Sequence, residues 1–384
     1  MSRQSNRPVA KGWCPGAYRP MMSGDGLVVR VRPVMARLTT EQALGLCTLA
    51  GKFGSGLIDL TSRANLQIRG VAEKDHEDLL QELNALGLLP DDPLLEARRN
   101  VLMAPDWRQG DVTEKLATEL YARLGDLPDL PAKFGFAIDT GQAPVFGENS
   151  ADIRIERGLD ELILRADGSD KGRPVSESDA ISATIEMAQW FADTGGAKSR
   201  RMAPHLQSTS LPEEWRRSAS RPANAKPTVG QTESGTYYGA PFGQIEAAQL
   251  ADLVKTSGCR ALRVTPWRLF QTEDAAPVQT SDFVTTADDP LLNVDACPGA
   301  PLCNASSVET RALARRLARK LVAKSKAKLH VSGCTKGCAF PRASDVTLVG
   351  RNGRFDLVKD GLPWDEPSLT DLTEKDLIDR IGEF

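Results

Sequence analysis

In the first part of the chain, short stretches with alternating apolar and polar residues are separated by longer stretches with helical spacing. Alternation is typical of a half-buried strand, and apolar residues three and four positions apart are typical of an amphipathic helix. The pattern predicts strands at 26–33, 56–63 and 65–70 and helices at 40–53 and 73–86. Thr39 or Thr40 can cap the first helix through its hydroxyl. The resulting order, β-α-β-β-α, is typical of a ferredoxin-like unit.

A similar pattern returns in the second part of the chain. It predicts a strand at 237–241, a helix at 245–256 and a strand pair at 261–271. The segment LTSRANLQ (60–67) aligns with VTPWRLFQ (264–271), and Gly54 aligns with Gly258 at the same offset. The shared spacing indicates an internal duplication with pseudo-twofold symmetry. Few residues of the two segments are identical, so chance periodicity remains the alternative explanation.

The regions outside the repeats have mixed patterns. Helical stretches at 114–124 and 178–194 alternate with strand-like ones, and the composition of 208–235, rich in Ser, Pro and Ala, favours a linker. Towards the C-terminus we predict a helix at 306–325 that begins with a Ser306–Glu309 capping box. A strand at KLHVSG and a hairpin around the Asn-Gly pair at 352–353 follow it.

Composition and charge narrow the class of protein. The chain has 384 residues, of which 41% are apolar and 26% charged, and this favours a globular protein with more than one domain. It contains no apolar run long enough to span a membrane, and its N-terminus lacks the apolar core of a signal peptide. We therefore expect a cytoplasmic protein, in which the seven cysteines are metal ligands or free thiols.

The positive charge is concentrated near the N-terminus. The net charge is only −3, but residues 1–70 contain eight arginines and two lysines against three acidic residues. Such an excess suits an anionic ligand, although a solvated basic face is the simpler alternative. A nucleic acid is disfavoured, because this stretch has few aromatic residues and no nucleic-acid-binding motif.

Four cysteines have the spacing of a metal centre. Cys297 and Cys303 are spaced C-x5-C, and Cys334 and Cys338 are spaced C-x3-C. The wider gap suits an iron–sulfur cluster better than a zinc knuckle, which prefers two to four intervening residues. Zinc and unligated thiols remain the alternatives. The other cysteines are Cys47 and Cys259, which we predict to pack in the core, and Cys14, which has either a structural role or a place near the ligand.

These segments resemble the sulfite and nitrite reductase superfamily over nearly the whole chain. ACPGAPLCN and SGCTKGCAFPRASDVTLVG are similar to its two cluster segments. TSRANLQIRG, RVRP, RRNV and LPAKFGF are similar to its tetrapyrrole-site motifs. The resemblance implies that Cys297, Cys303, Cys334 and Cys338 hold a 4Fe–4S cluster. It also implies that the tetrapyrrole is bound by Arg32, Arg63, Gln67, Arg69, Arg99 and Lys133.

The resemblance also implies a fold class. That class is α+β, with two ferredoxin-like half-domains and two α/β domains related by pseudo-twofold symmetry. The predicted division is a first half-domain at 1–88, a tetrapyrrole-binding α/β domain at 89–207, a linker at 208–235, a second half-domain at 236–288 and an iron–sulfur domain at 289–384.

One departure from the reductases selects a branch of the superfamily. The reductases carry two lysines in L-P-x-K-F-K, but here only Lys133 is present and Gly135 stands in the second place. Sulfite reduction needs positive charge and acid groups beside the iron, so this loss weakens a reductase site. The segment WCPGAYRPMMSGDGLVVRVRP resembles the N-terminus of the precorrin-3B synthase branch. A sirohaem-dependent sulfite or nitrite reductase is the alternative, and a non-catalytic tetrapyrrole- or metal-binding protein is the third.

Resemblance to that branch implies a monooxygenase of aerobic cobalamin biosynthesis. It implies that precorrin-3A takes the place of sirohaem, that O2 and NADH are consumed, and that C20 is hydroxylated while a ring A acetate closes a γ-lactone. A 4Fe–4S cluster and a mononuclear non-haem iron are implied as cofactors.

Two parts of that activity have no clear basis in the residues. The glycines of GKFGSG (51–56) lie between a predicted helix and a predicted strand, the reverse of a dinucleotide-binding order, so we expect a separate reductase or ferredoxin to deliver the electrons. The histidines are His76, His205 and His330, and we assign none of them to the non-haem iron.

Overall fold

The computed structural model describes residues 15–325, 327–380 and 382, and for 321–325 it describes the backbone alone. The helices are α1 (Thr40–Phe53), α2 (His76–Ala85), α3 (Pro93–Arg98), α4 (Val112–Ala122), α5 (Ala180–Asp193), α6 (Gly196–Ser199), α7 (Met202–His205), α8 (Ala247–Ser257), α9 (Arg311–Ser325) and α10 (Glu374–Arg380). No helix within these residues is both long and apolar enough to cross a membrane.

The strands form four sheets. The first eleven are β1 (Met21–Ser23), β2 (Gly26–Val31), β3 (Arg37–Thr39), β4 (Leu57–Leu60), β5 (Leu66–Val71), β6 (Val101–Met103), β7 (Phe136–Asp139), β8 (Ile153–Arg157), β9 (Leu162–Ala166), β10 (Lys171–Val175) and β11 (Ser218–Ala219). The others are β12 (Gly230–Thr232), β13 (Gly235–Gly239), β14 (Gln244–Glu246), β15 (Ala261–Val264), β16 (Leu269–Glu273), β17 (Val294–Ala296), β18 (Leu329–Ser332), β19 (Ser344–Arg351), β20 (Arg354–Gly361) and β21 (Leu369–Leu372).

Two of the sheets are built alike and exchange one strand. The first half-unit has the order β1-β2-β5-β4-β14, and the second has the order β12-β13-β16-β15-β3. Strand β3 therefore leaves the first half-unit to pair with β15, and β14 leaves the second to pair with β4. This reciprocal exchange is the pseudo-twofold symmetry that the repeat predicts.

Backbone conformation repeats along with topology. The turn before β3 contains Met35 at φ 56°, and the turn before β14 contains Phe242 at φ 60°. The turns between the paired strands contain Ala64 at φ 52° and Arg268 at φ 61°. A positive φ is uncommon for residues other than glycine. Its recurrence at matching places therefore supports duplication over chance periodicity.

The two half-units share one apolar core. Helices α1 and α8 lie against each other, and Leu46, Ile58, Leu250 and Phe270 are all fully buried in the same cluster. Cys47 and Cys259 belong to that cluster, which confirms the packing role predicted for them. Thr39 caps α1 with a complete capping box in which Gln42 is the reciprocal partner.

The other two sheets carry the α/β regions. One has the order β11-β10-β9-β8-β7-β6, and the other has the order β17-β18-β19-β20-β21. The predicted hairpin at 352–353 joins β19 to β20, with both turn residues at positive φ. Residues 208–235 contribute β11 to one sheet and β12 to another, and the predicted domain boundaries stay a prediction.

One predicted element begins later than expected. Helix α9 starts at Arg311, not at Ser306. The Ser306 hydroxyl donates to the Val308 carbonyl at 2.8 Å instead of capping a helix with Glu309. The capping-box prediction is therefore wrong, because this serine makes a local turn that competes with helix formation.

Candidate functional site

The two cysteine segments start from neighbouring parallel strands. Strand β17 pairs in parallel with β18, with Ala296 opposite Val331. Cys297 follows β17 directly, and Cys334 lies two residues beyond the end of β18. Because the carboxyl ends of parallel strands meet at one edge of a sheet, the loops that carry Cys303 and Cys338 leave from the same edge.

Backbone amides surround the most buried of these sulfurs. The Gly333 N–H donates to Cys297 Sγ at 3.1 Å, and the Gly299 N–H is a second donor. A side chain at Gly333 would begin 2.2 Å from the Ser306 hydroxyl, so only glycine lets this amide approach the sulfur. Burial raises the pKa of Cys297, and the two amides oppose that rise. Amide donors of this kind suit a thiolate bound to a cluster.

The spacing of the thiols does not suit a single small ion. Among the residues that the structure describes, no three His, Cys, Asp or Glu side chains converge closely enough to hold one metal ion. A zinc ion needs all four sulfurs at about 2.3 Å from one point. Cys297 nevertheless lies within electrostatic range of Cys303 and Cys334, and Cys338 lies within range of the other three thiols. A larger iron–sulfur cluster fits four nearby but separated sulfurs. Cys14 lies outside the described residues.

One face of the first half-unit's sheet is polar and rich in arginine. Leu27, Val29 and Val31 of β2 belong to the apolar core, so the alternate residues lie on the opposite face. We call this face the cationic face, and its side chains are those of Arg30, Arg32, Asp59, Gln67 and Arg69. Arg30 and Asp59 are the cross-strand partners of Gln67 on its two sides. The predicted arginine rows therefore lie on a single surface.

Two arginines of the cationic face are already paired. Arg32 forms a buried ion pair with Glu96, and its guanidinium also donates to the Pro15 carbonyl at 3.3 Å. Arg69 is 3% exposed and pairs with Asp25 at 2.8 Å and Asp59 at 3.1 Å. This geometry favours a structural role for Arg69 over the predicted substrate contact.

Arg69 also reaches the cysteine segment. Its Nη2 donates to the Leu302 carbonyl at 3.0 Å, beside Cys303. The Ser23 hydroxyl donates to the same carbonyl at 2.6 Å, and the Gly24 N–H does so at 3.2 Å. Three donors from the first half-unit therefore fix the loop that carries Cys303.

Arg63 lies where the first half-unit meets the 89–207 region. Its Nη2 donates to the Lys133 carbonyl at 2.9 Å and to the Ser150 hydroxyl at 3.2 Å. Arg201 donates to the same hydroxyl at 2.8 Å and forms an ion pair with Asp152. Two guanidinium groups, those of Arg63 and Arg201, thus share the Ser150 hydroxyl, and Arg63 also contacts the backbone of Lys133. Sequence reasoning identified Arg63 and Lys133 but missed Arg201, which belongs to no recognised motif.

Gly135 has no room for a side chain. An added Cβ would lie 2.7 Å from Asn100 Nδ2 and 3.0 Å from the Asn100 carbonyl. The Gly135 N–H donates to Asp152 Oδ2 at 2.9 Å, which fixes the backbone in place. A lysine could not replace this glycine without rearrangement. The packing around Asn100 therefore excludes a second lysine here.

Several buried donors near the cationic face lack a protein partner. Burial lowers the pKa of Arg99, and its Nη1 makes no hydrogen bond to any described residue. Hydrogen bonds to described residues are also lacking at Nε of Arg30, at Nδ2 of Asn65, and at Nε and Nη1 of Arg311. Unpaired buried donors are rare in proteins because each costs free energy. Together they indicate an acceptor-rich, anionic ligand.

Two further arginines of this region, Arg37 and Arg98, have protein partners. Arg37 pairs with Glu273 at 2.8 Å in the second half-unit's sheet. Arg98 donates to the Leu124 and Gly125 carbonyls at 2.8 and 3.1 Å. Both residues have structural contacts that explain their presence.

The three histidines do not form a metal site. His76 Nε2 lies 2.9 Å from the Ala17 carbonyl, and His205 Nε2 lies 2.8 Å from the Thr194 hydroxyl, among aromatic rings. His330 is fully buried on β18, and burial lowers its pKa to about 4. A site with two histidines and one carboxylate does not exist among the described residues.

Comparisons with known proteins identify the family of this chain. The family model "Nitrite/Sulfite reductase ferredoxin-like half domain" matches residues 19–86. A precorrin-3B synthase from Sinorhizobium sp is 30% identical over 391 aligned residues, which cover 92% of this chain and 83% of that protein. A ferredoxin–nitrite reductase from Leptolyngbya laminosa is 22% identical and covers 92% of this chain and 82% of its own length.

A solved structure shares the fold. The NirA protein of Mycobacterium tuberculosis has a TM-score of 0.67 at 17% sequence identity, and the match covers 93% of this chain and 79% of that one. The predicted α+β duplicated fold class is therefore confirmed. The relationship to iron–sulfur reductases also indicates that this chain is an oxidoreductase that binds an iron–sulfur cluster. On its similarity to the Sinorhizobium enzyme, the chain belongs to the precorrin-3B synthase family within the sulfite and nitrite reductase superfamily.

Proposed function

We propose that this chain is a precorrin-3B synthase, which uses O2 to hydroxylate precorrin-3A at C20 and to close a γ-lactone from its ring A acetate. The observation that carries the proposal is the group of buried guanidinium donors on Arg30, Arg99 and Arg311 that make no hydrogen bond to any described residue. The identity of the substrate follows from family membership. The unpaired donors explain how its carboxylates would be bound.

The donors match the chemistry of this substrate. A precorrin carries acetate and propionate arms around its macrocycle, and arginine pairs with carboxylates through two parallel hydrogen bonds. Arg30, Arg63 and Arg99 come from three different segments, so they can contact different arms of one molecule. Gln67, between Arg30 and Asp59, can donate or accept at the ring.

The site around Lys133 supports oxygenation better than sulfite or nitrite reduction. A reductase needs a dense group of cations and acids to hold an oxyanion and to deliver several protons. Here packing against Asn100 excludes a second lysine at position 135. Lys133, Arg63 and Arg201 then act as a carboxylate-binding group, in which Ser150 orients the two guanidinium groups.

We propose that the four cysteines hold a 4Fe–4S cluster, which supplies single electrons when it is bound. The residues of this chain position the ligands: Gly333 and Gly299 donate to Cys297, and Arg69 holds the loop of Cys303. NADH is the ultimate electron source through a separate reductase or ferredoxin. A mononuclear iron is implied by the family alone. The histidines do not fit it, so we assign it no residues and no step.

Isotope labelling tests the function directly. The cluster-loaded protein is incubated with precorrin-3A, 18O2 and a reductant, and the product is analysed by mass spectrometry. We expect one labelled oxygen in the product, and an absorption spectrum of the purified protein that lacks sirohaem bands. A product without label, or rapid sulfite or nitrite reduction by a sirohaem-containing preparation, would contradict the proposal.

A further inference from the structure

Arg311 has an incomplete set of partners in a buried place. It is the first residue of α9, and its Nη2 pairs with Asp59 Oδ1 at 3.1 Å. Its side chain is only 11% exposed, yet Nε and Nη1 make no hydrogen bond to any residue that the structure describes. No motif of the sequence singles out this arginine. We propose that Arg311 binds a carboxylate arm of the tetrapyrrole from the cluster side of the site, an inference that rests on the proposed function.

The charges around Arg311 favour an anion. Arg268 and Arg315 lie within electrostatic range of it, and each is repelled by its guanidinium. Asp59 cannot neutralise this group alone, because it is shared with Arg69. Buried N–H donors without partners cost about 1–3 kcal/mol each, and more when charged. A ligand carboxylate would satisfy both free donors of Arg311 at once.

The position of Arg311 extends the cationic face into the cluster region. Arg30, Gln67 and Asp59 are cross-strand neighbours on β2, β5 and β4. Adjacent strands lie about 4.8 Å apart, so the backbones that carry Arg30 and Asp59 are roughly 10 Å apart. Arg311 approaches from the Asp59 side, and Arg30 stands at the other end of this row. That separation suits two acidic arms of one macrocycle better than a single carboxylate.

Arg311 also connects the ligand to the cysteine segment. The preceding residue, Thr310, donates through its hydroxyl to the Cys297 carbonyl at 2.5 Å. The backbone of Gly299 packs against the same threonine. A carboxylate bound to Arg311 is therefore connected through Thr310 to the backbone of Cys297, a predicted cluster ligand. We expect ligand binding to change the electron paramagnetic resonance spectrum of the reduced cluster in the wild type, and less so when Arg311 is replaced.

The test compares Arg311→Met with a matched control on the same helix. Arg316→Met removes an equal charge from α9, where Arg316 forms an exposed pair with Glu374. The probe is uroporphyrin III, a stable tetrapyrrole with acetate and propionate arms, titrated by fluorescence quenching. We expect about 10- to 100-fold weaker binding for Arg311→Met, because a charge-assisted contact is lost, and unchanged binding for Arg316→Met.

One further variant and one further measurement separate a ligand contact from a structural role. Arg311→Lys keeps the charge and should recover part of the affinity. The affinity of the wild type should also fall more steeply with added salt than that of Arg311→Met, because the variant has lost one charged contact with the ligand. If Arg311 acted only by holding Asp59, the two proteins would show the same salt dependence, and the inference would be overturned. Iron content of each variant verifies the fold.

The outcomes distinguish this inference from the proposed function. Equal affinity of wild type and Arg311→Met for uroporphyrin III overturns the inference about Arg311. The proposed function is then tested by the isotope-labelling experiment alone. No binding by the wild type overturns the inference and removes the main support for the function. If Arg311→Met loses its iron, the comparison passes to Arg311→Lys, which must still bind more weakly than the wild type.

Discussion

The two half-units share a fold, but the side chains at equivalent positions are cationic in the first and apolar or aromatic in the second. Arg30 lies opposite Gln67 in the first half-unit, and Tyr237 lies opposite Gln271 in the second. Arg63 of the first half-unit aligns with Trp267 in the second. The second face is filled by an apolar cluster, whose buried members are Val229, Tyr237, Leu269 and Val284. The two half-units are thus equivalent scaffolds, of which one presents polar and cationic side chains and the other covers the equivalent face with apolar side chains.

A salt bridge at the base of each face is reversed in charge. Asp59 and Arg69 pair in the first half-unit, and Arg263 and Glu273 pair at the equivalent positions of the second. Each arginine also binds carbonyls of a distant segment. Arg69 holds Leu302 of the cysteine segment, and Arg263 holds Pro105 and Trp107. Equivalent positions therefore anchor an α/β region in both halves, although the charges are exchanged.

The largest expected effect concerns the cysteines, because only one side of the molecule is predicted to carry the cluster. Cys338→Ser removes one of the four predicted ligands and should lose nearly all iron and acid-labile sulfide. Cys259→Ser, in the apolar core, is the matched control and should keep both. The measurement is iron and sulfide per chain. Full iron content in Cys338→Ser would refute the ligand assignment.

The second effect tests the anchor of the second half-unit. Glu273 is 1% exposed and pairs with Arg37, Arg260 and Arg263. Glu273→Gln leaves the buried Arg263 uncompensated and should lower the free energy of unfolding by about 3 to 5 kcal/mol. Glu82→Gln breaks an exposed pair with Lys52 and should cost less than about 1 kcal/mol. Chemical denaturation measures both, and equal losses would contradict the account.

Glu273 also gives the stability a dependence on pH. Although burial alone would raise its pKa, hydrogen bonds and charges from Arg37 and Arg263 lower it from 4.5 to about 2. A lowered carboxyl pKa contributes stability above the unfolded value and loses it as pH falls through the folded value. The free energy of unfolding of the wild type should therefore fall by about 3 kcal/mol between pH 4.5 and 2 because of this residue. Glu273→Gln should lack that part of the acid transition.

The third effect tests the cationic face by giving it the residue of the other half. Arg63→Trp places the side chain of position 267 where Arg63 now contacts Lys133 and Ser150. We expect uroporphyrin III to bind about 10- to 100-fold more weakly, because one charged contact is lost. Trp267→Phe changes the second face and should leave the affinity unchanged. Equal effects of the two variants would remove the functional difference between the faces.

The smallest effect compares the starts of two equivalent helices. Thr39 caps α1 with a complete capping box, whereas Glu246 at the start of α8 makes no side-chain capping bond. Thr39→Ala should cost about 1 kcal/mol, and Glu246→Thr should gain a few tenths to about 1 kcal/mol. Thermal unfolding measures both. A loss of stability in Glu246→Thr would show that Glu246 has a role that the repeat does not explain.

The sequence predicted what depends on local pattern and on spacing. The repeat at 60–67 and 264–271 predicted the two half-units, and the cysteine spacing predicted a shared metal centre. The sheet edge from which both cysteine segments leave was found only in the structure. The sequence could not reveal that Asp25 and Asp59 neutralise Arg69, because Asp25 comes from the turn between β1 and β2 and Asp59 from β4. It also missed Arg311, whose importance depends on donors left unpaired after folding.

A structure of the cluster-loaded chain with bound uroporphyrin III tests the central claim most directly. The account predicts one macrocycle on the cationic face, with carboxylates on Arg30, Arg63 and Arg311, and no macrocycle on the face of Tyr237. A macrocycle on the second face, or one whose carboxylates avoid these arginines, would contradict the account.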